Sequence, residues 1–208
     1  IISSGNEAVV IDPLREPFKY LNYAKKNNLK IKYILETHFH ADFVSGHLEL
    51  SKLTKSKIIF GPNAKTNFEF IKLNDNDEIK FGGVKIKLLH TPGHTMESSC
   101  YLLFDKNNKQ HSIFTGDTLF INSVGRPDLA VSSNFSLKQL ASMLYDSIKN
   151  KILPLNDDII IYPAHGAGST CGKNISNKTF DTLKNQKIKN FALNSSVSKD
   201  CLLYTSDA

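Results

Sequence analysis

Three histidines and an aspartate lie within twelve residues of this chain, in the stretch ETHFHADFVSGH at positions 36–47. His38 and His40 are two positions apart, so their side chains project to one side if strand geometry continues that far. Imidazole nitrogens and carboxylate oxygens are common protein ligands of zinc and iron. The stretch therefore predicts a metal site with Asp42 beside it. Phe43, which follows directly, has no electron pair to offer a metal.

Three more polar clusters follow apolar runs, and each is expected to stand just beyond the end of a strand. They are HTPGHT at 90–95, FTGD at 114–117 and YPAHG at 162–166. Loops at one sheet edge converge in space and commonly carry functional sites. A buried carboxylate at Asp117 would be costly unless it were paired or bound to a metal. HxHxD, PGHT and TGD in one chain together predict a metal centre, although each motif alone is a weak signal.

Some polar residues have a simpler structural interpretation. His90 and His111 are interpreted as structural or surface histidines, and a lone His165 after a strand is more often a hydrogen-bonded loop histidine than a ligand. The run GAGSTCGK at 166–173 resembles a phosphate-binding loop only superficially, because its spacing is wrong and Asn174 stands where a hydroxyl residue is required.

The elements that must position these clusters alternate between short apolar strands and helical patterns. Glycine and proline punctuate the runs, and a Gly-Gly turn predicts one hairpin. Mixed strands and helices of this kind indicate an α/β fold with layered sheets. Asp42 is expected to cap the second helix. We predict strands at 8–11, 31–35, 57–60, 78–81, 84–89, 99–104, 112–115 and 158–162, helices at 18–28, 42–53 and 137–148, and an amphipathic segment at 180–191.

Length and composition exclude several classes of protein. The chain has 208 residues, of which 40% are hydrophobic and 22% charged, as expected for one globular domain. No apolar run reaches the roughly 18 residues of a membrane span, so no membrane role is expected. The net charge of +6 comes from scattered lysines, which argues against a nucleic-acid surface but is compatible with anionic substrates. The three cysteines have unrelated spacings, which favours a reducing, cytoplasmic location.

The chain is expected to contain one functional unit and a tail. We predict a catalytic domain over residues 1–192, truncated at its N-terminus because the sequence opens within a strand-like run. Residues 193–208 are predicted to be an irregular or foreign tail, because KDCLLYTSDA continues no earlier pattern.

The combined motifs resemble the metallo-β-lactamase superfamily over residues 1 to about 190 and, more narrowly, its persulfide dioxygenase branch. THFHADFVSGH, FTGDTLFINSVGRPDL and YPAHGAGSTCGKN carry the resemblance, and GRPDL at 125–129 is the most branch-specific run. It is similar to bacterial members that carry rhodanese domains after the catalytic domain. The resemblance implies a four-layer αββα sandwich with the site along one edge, and a rhodanese domain in the full-length chain.

Position 43 separates two kinds of chemistry within this superfamily. Binuclear hydrolases such as glyoxalase II continue the motif as HxHxDH, and the last histidine binds a second metal. With Phe43 there, a second metal would be left with Asp42, His165 and a share of Asp117, which is a poor set. The sequence therefore favours one metal.

The persulfide dioxygenase resemblance implies that His38, His94 and Asp117 bind one Fe(II) per chain. Two imidazoles and one carboxylate leave positions open for a persulfide and dioxygen, as in non-haem iron oxygenases. His40, Asp42 and His165 would then orient these ligands or move protons.

Two further residues close to the motifs are given roles. Arg126 is expected to pair with Asp128 and support the loop that carries Asp117, and it is counted among the catalytic residues. Cys171 either takes part in sulfur transfer or is a small buried residue.

Together with the ligand set, the resemblance implies an iron(II)-dependent dioxygenase that oxidises a low-molecular-weight thiol persulfide with O2 to sulfite and thiol. The alternative is a zinc-dependent thioester hydrolase of the glyoxalase II type, in which a metal-bound water attacks a carbonyl. A non-catalytic interaction module is disfavoured by the intact ligand set. Glutathione, coenzyme A and bacillithiol all remain open as the thiol carrier, and so does a homo-oligomer.

Overall fold

A computed structural model describes residues 1–132, 134–194 and 199. Most of the predicted tail therefore lies outside the described residues. In chain order the elements are β1 (Ile2–Ser4), β2 (Glu7–Ile11), α1 (Pro17–Lys26), β3 (Lys30–Leu35), α2 (His47–Thr54), β4 (Lys57–Phe60), β5 (Ile71–Lys72), β6 (Glu78–Phe81), β7 (Val84–His90), β8 (Ser99–Phe104), β9 (Gln110–Gly116), β10 (Leu119–Phe120), β11 (Ser123–Val124), α3 (Leu137–Ser147), β12 (Ile160–Pro163), β13 (Asp181–Thr182) and α4 (Leu183–Lys189).

The strands form two main sheets and one small ribbon. The first sheet has the order β1-β2-β3-β4-β5, and its strands from β2 to β5 run parallel. The second has the order β13-β12-β9-β8-β7-β6, in which β9 and β12 are parallel neighbours and the other pairs are antiparallel. The ribbon pairs β10 with β11.

The two sheets pack face to face around a shared core. Because successive strand residues point to opposite faces, Val9 faces the other sheet while its neighbour Val10 faces the helices. Leu35 and Ile59 from the first sheet meet Leu88 and other residues of the second. Burial of each such aliphatic side chain stabilises the fold by about 1.5–3 kcal/mol.

Helices cover the outer faces of both sheets. Ala24 of α1 and Leu50 of α2 pack on the outer face of the first sheet. Leu144 of α3 and Leu183 of α4 pack on the outer face of the second. The layers are therefore helix, sheet, sheet and helix, and the predicted αββα sandwich is confirmed. Among the described residues, no helix combines the length and apolar character needed to cross a membrane.

Local sequence signals explain where two of the helices begin. Pro17 occupies the first turn of α1, where its missing N–H leaves no hydrogen bond unmade. The side chain of Ser136 accepts from the backbone N–H of Gln139, and the Gln139 side chain caps Ser136 in return. The predicted helix at 137–148 accordingly starts where the sequence indicated.

Two predicted elements need correction. The helix predicted from 42 begins instead at His47, with Gly46 as its N-cap residue, because the carboxylate of Asp42 faces His165 rather than the helix N-terminus. The amphipathic segment predicted at 180–191 is divided between β13 and α4. The short strands β5, β10 and β11 were not predicted, since two-residue strands show no usable alternation.

The strand ends that precede the polar motifs lie along one edge of the sandwich. In the second sheet, β7, β9 and β12 all run in the same direction and end at this edge. The end of β3 is held against them by two hydrogen bonds between the sheets. The N–H of Ser99 donates to the carbonyl of Thr37 at 2.9 Å, and the hydroxyl of Tyr101 donates to the carbonyl of Glu36 at 2.9 Å.

Candidate metal centre

Three predicted ligands meet at this edge. His38 follows β3, His94 follows β7 in the TPGH turn, and Asp117 follows β9 directly. Their ligand atoms all lie within 4.8 Å of one another. Asp117 Oδ2 is 3.9 Å from Nε2 of His38 and 3.4 Å from Nε2 of His94. The three side chains are almost completely buried, at 3%, 4% and 0% exposure in chain order.

The donor chemistry of this set fits a divalent metal. Among the described residues, no group makes a well-formed hydrogen bond to either carboxylate oxygen of Asp117, and burial raises the pKa of that carboxyl to about 7 despite the nearby His40 and the Cys171 thiol. Burial lowers the pKa of His38 to about 2 and also lowers the pKa of His94, so both imidazoles are neutral at neutral pH. Neutral imidazole is the form that binds metals, and an unpartnered buried carboxylate is stabilised by a cation. His38, His94 and Asp117 would therefore hold such a metal on one face.

Hydrogen bonds to the rear nitrogens set the tautomers of both histidines. Nδ1 of His94 lies 2.8 Å from the carbonyl oxygen of Arg126, which can only accept, so Nδ1 carries the proton. Nδ1 of His38 lies 2.9 Å from the hydroxyl of Thr37. In both rings the remaining nitrogen, Nε2, faces Asp117 with its lone pair free when Nδ1 is protonated.

Arg126 contributes to the site through its backbone, while its side chain points elsewhere. The guanidinium pairs with Asp128, Nε to Oδ1 at 3.0 Å, which confirms the predicted pair. The arginine side chain of this pair is 39% exposed, whereas the carbonyl oxygen of Arg126 contacts the candidate ligand His94.

The glycine that precedes Arg126 allows two loops to come together. A Cβ atom at Gly125 would lie 1.8 Å from the carbonyl oxygen of Asp117 and 3.1 Å from Nδ1 of His94. No side chain fits there, so the GRPDL run owes part of its sequence to this approach.

His40 adjoins the three ligands, but its Nε2 faces a different carboxylate. Strand geometry ends at Leu35, the rings of His40 and His38 lie 4.2 Å apart between centroids, and Nε2 of His40 lies 3.2 Å from Oδ1 of Asp12. Burial lowers the pKa of His40, but the nearby Asp12 carboxylate outweighs burial and the pKa is raised. Phe43 packs against the His40 ring, with 4.3 Å between the ring centroids.

A second group of possible ligands adjoins the first. The ligand atoms of Asp42, His165 and Cys171 lie within 4.8 Å of one another. Nε2 of His165 is 3.3 Å from Oδ2 of Asp42 and 3.4 Å from Oδ1 of Asp117. The sequence predicts that Asp42 and His165, with a share of Asp117, are a poor set for a second metal, and it gives no sign that Cys171 lies beside them. The buried thiol of Cys171 therefore lies beside Asp42 and His165, the two residues that a histidine at position 43 would join.

Sequence reasoning also missed a buried polar group behind the motif. Glu36 is 1% exposed, and burial together with Asp12 raises its pKa well above the ordinary range. The hydroxyl of Ser45 donates to Glu36 Oε1 at 2.8 Å, and Nδ1 of His47 lies 3.6 Å from the same atom. This group ties the start of α2 to the end of β3. The sequence signal for this group was the spacing of the acid Glu36 and the hydroxyl residue Ser45 within ETHFHADFVSGH.

Two cavities open beside the candidate ligands. One, of about 390 Å³, is lined by His38, His94 and Asp117 and by the apolar side chains of Phe39, Met96, Leu129 and Phe135. Glu97 forms part of its wall and accepts the N–H of Phe39 at 2.9 Å. The other, of about 520 Å³, is lined by His40, His165 and the aromatic rings of Phe43, Phe114 and Tyr162. The smaller cavity thus reaches the three ligands, while the larger one reaches His40, Asp42 and His165 beside them.

Comparisons with known proteins agree on the superfamily of this chain. Residues 1–165 match the Metallo-beta-lactamase superfamily. A hydroxyacylglutathione hydrolase of Francisella philomiragia is 35% identical over 169 residues, which cover 79% of this chain and 61% of that protein. The human mitochondrial persulfide dioxygenase ETHE1 is 34% identical over 166 residues, which cover 77% of this chain and 59% of that protein.

A solved structure is also similar. A metallo-beta-lactamase from Staphylococcus aureus superposes with a TM-score of 0.87 at 33% identity, covering 96% of this chain and 60% of that one. The chain thus spans about three fifths of the length of each of these three proteins.

Proposed function

Because the chain belongs to the metallo-beta-lactamase superfamily, we propose that it is an iron(II)-dependent persulfide dioxygenase. It would oxidise a low-molecular-weight thiol persulfide with O2, and water would complete the balance to sulfite and thiol. The observation that carries this proposal is the meeting of His38, His94 and Asp117, whose ligand atoms lie within 4.8 Å of one another while Nε2 of His40 faces Asp12. Two imidazoles and one carboxylate leave coordination positions free for two reactants.

The residues around the set would each have a defined task. Bound iron(II) would supply the redox chemistry, which zinc lacks. His38, His94 and Asp117 would hold the metal. The apolar wall of the smaller cavity would exclude water from the reacting sulfur. His165, which lies 3.3 Å from Asp42, would hold or move a proton at Nε2.

The proposal is tested by oxygen uptake. The chain, reconstituted anaerobically with Fe(II), is expected to retain one iron, consume O2 when given a thiol persulfide and release sulfite. Asp117→Ala removes the anionic ligand and should abolish both iron retention and uptake. Asp105→Ala is a matched control, because Asp105 caps a remote hairpin turn by accepting the N–H groups of Asn107 and Lys109. Iron retention without any oxygen uptake on persulfide would reject the proposal.

A second candidate function is favoured by one observation of its own. The cluster of Asp42, His165 and Cys171 could hold a second ion that shares Asp117, which would support a zinc-dependent thioester hydrolase. One relative named above is a hydroxyacylglutathione hydrolase. Rapid hydrolysis of an S-lactoyl thioester by the zinc-loaded chain, with two ions bound and no oxygen uptake by the iron form, would favour this candidate.

A further inference from the structure

Asp12 has an unusual backbone conformation at the edge that carries the site. It is the first residue after β2, and its φ of +46° lies in the left-handed region. Its N–H donates to the carbonyl of Leu35 at 2.9 Å, which fixes it beside the end of β3. Aspartate tolerates this conformation better than most residues, but such positions cluster where the surrounding structure has a function for them.

Both oxygens of the Asp12 carboxylate accept hydrogen bonds from Thr37, which lies just beyond the end of β3. Oδ1 accepts the N–H of Thr37 at 2.7 Å, and Oδ2 accepts the hydroxyl of Thr37 at 2.7 Å. A hydroxyl has a single proton, so the Thr37 oxygen can only accept from Nδ1 of His38, which lies 2.9 Å away. Asp12 therefore fixes the direction of the Thr37 hydroxyl, and the hydroxyl oxygen in turn keeps the His38 proton on Nδ1. The lone pair of His38 is left on Nε2.

We propose that Asp12 is a positioning residue for the metal centre, which fixes the metal-binding tautomer of His38 through the hydroxyl of Thr37. This inference rests on the ligand set of the proposed function but not on the reaction. It extends to the neighbouring ring, because Oδ1 of Asp12 also faces Nε2 of His40 at 3.2 Å. One carboxylate thus orients His38 through Thr37 and also contacts Nε2 of His40 directly.

Asp12→Asn separates this role from simple packing, because asparagine has the same shape and also tolerates left-handed φ. The buried N–H of Thr37 needs an acceptor, so the amide oxygen would face it and the amide NH2 would face the Thr37 hydroxyl. The hydroxyl proton would then turn toward Nδ1 of His38. The ring would carry its own proton on Nε2, where no metal can bind.

The test uses the 208-residue chain with zinc as the probe ion. Two quantities are measured: the zinc dissociation constant by chelator competition, and the ring tautomers of the metal-free protein by long-range ¹H–¹⁵N correlation spectra. Asp12→Asn should weaken zinc binding about 10–100-fold and move the His38 proton from Nδ1 to Nε2. Asp105→Asn, at the remote hairpin turn, should change neither.

Variants at Thr37 keep the test decisive even if Asp12→Asn folds poorly by circular dichroism. Thr37→Ser retains the hydroxyl and should bind zinc as the wild type does, whereas Thr37→Val should weaken binding as much as Asp12→Asn. In the Thr37→Val background, Asp12→Asn should cost little more, because its route to His38 is already cut. An unchanged His38 tautomer in Asp12→Asn, or wild-type zinc affinity in Thr37→Val, would overturn the proposal. Neither result depends on whether the chain oxidises persulfides.

Discussion

Gly125→Ala should damage the metal centre without replacing any ligand. The added Cβ would lie 1.8 Å from the carbonyl oxygen of Asp117 and 3.1 Å from Nδ1 of His94. The φ of Gly125 is outside the left-handed region, so alanine meets no backbone penalty and the effect is steric. The clash falls on the main chain of one ligand and beside the ring of another.

The size of the effect follows from the distance that must be recovered. Non-bonded carbon and oxygen atoms prefer a separation of roughly 3.5 Å. The loops that carry Gly125 and Asp117 must therefore move apart by more than about 1 Å. Overpacking of this kind costs about 1–3 kcal/mol of stability, equivalent to a fall in Tm of roughly 2–10 °C for a chain of this length. Because metal coordination requires more accurate positions of the ligand atoms than folding does, metal affinity should fall about 10–100-fold.

Zinc dissociation constants and metal-free Tm values provide the assay, and the chain offers a matched control. Gly166 directly follows His165, yet a Cβ there would meet no atom of the described part of the chain within 4 Å. Gly166→Ala should therefore leave both zinc affinity and Tm close to the wild type. If Gly125→Ala binds zinc as tightly as Gly166→Ala, the approach of the two loops does not constrain the ligands and the reasoning is wrong.

Three other substitutions probe the same edge. Phe43→His should add a zinc ion in excess metal, because an imidazole would join Asp42, His165 and Cys171. His165→Ala should keep its iron but slow oxygen uptake at least about tenfold. Asp117→Asn should lose the metal, yet raise the metal-free Tm at pH 8. Burial raises the pKa of this carboxyl from 3.8 to about 7, so the wild type holds a buried charge above pH 7 and the gain should vanish as the pH falls toward 4.

Each of these three predictions has a specific result that would contradict it. Metal content that stays at one ion in Phe43→His would show that position 43 does not decide the number of metals. Loss of iron from His165→Ala would make His165 a ligand. A Tm difference between Asp117→Asn and wild type that is constant from pH 4 to pH 8 would mean that the buried charge is not the cause.

Much of the fold could be predicted from the sequence, because long apolar runs and glycine turns locate most of the longer strands. The predicted strands at 57–60, 78–81 and 99–104 coincide with β4, β6 and β8. The first residues of α2 could not be predicted, because the cap signal of Asp42 competes with its contact to His165. A tertiary contact decided between two local options.

The supports of the candidate site were harder to predict than its ligands. Asp12 reaches Thr37 only because β2 and β3 are parallel neighbours with a register shift between Ala8 and Val9. Arg126 holds His94 with a backbone carbonyl, which every residue type possesses. Cys171 joins Asp42 and His165 from a loop without periodicity. Sequence patterns identify side-chain chemistry, but these contacts depend on register and on main-chain atoms.

The placement of the three candidate ligands also has a consequence for the order of folding. His38 belongs to the first sheet, whereas His94 and Asp117 belong to the second, and a long stretch of chain separates the two histidines. Loop-closure entropy opposes such distant contacts until both sheets have formed and packed together. The ligand set therefore assembles late, and an unfolded or half-folded chain offers a metal only the local donors of the 36–47 stretch, without His94 and Asp117. Metal uptake in refolding chains would accordingly mark the final docking of the two halves.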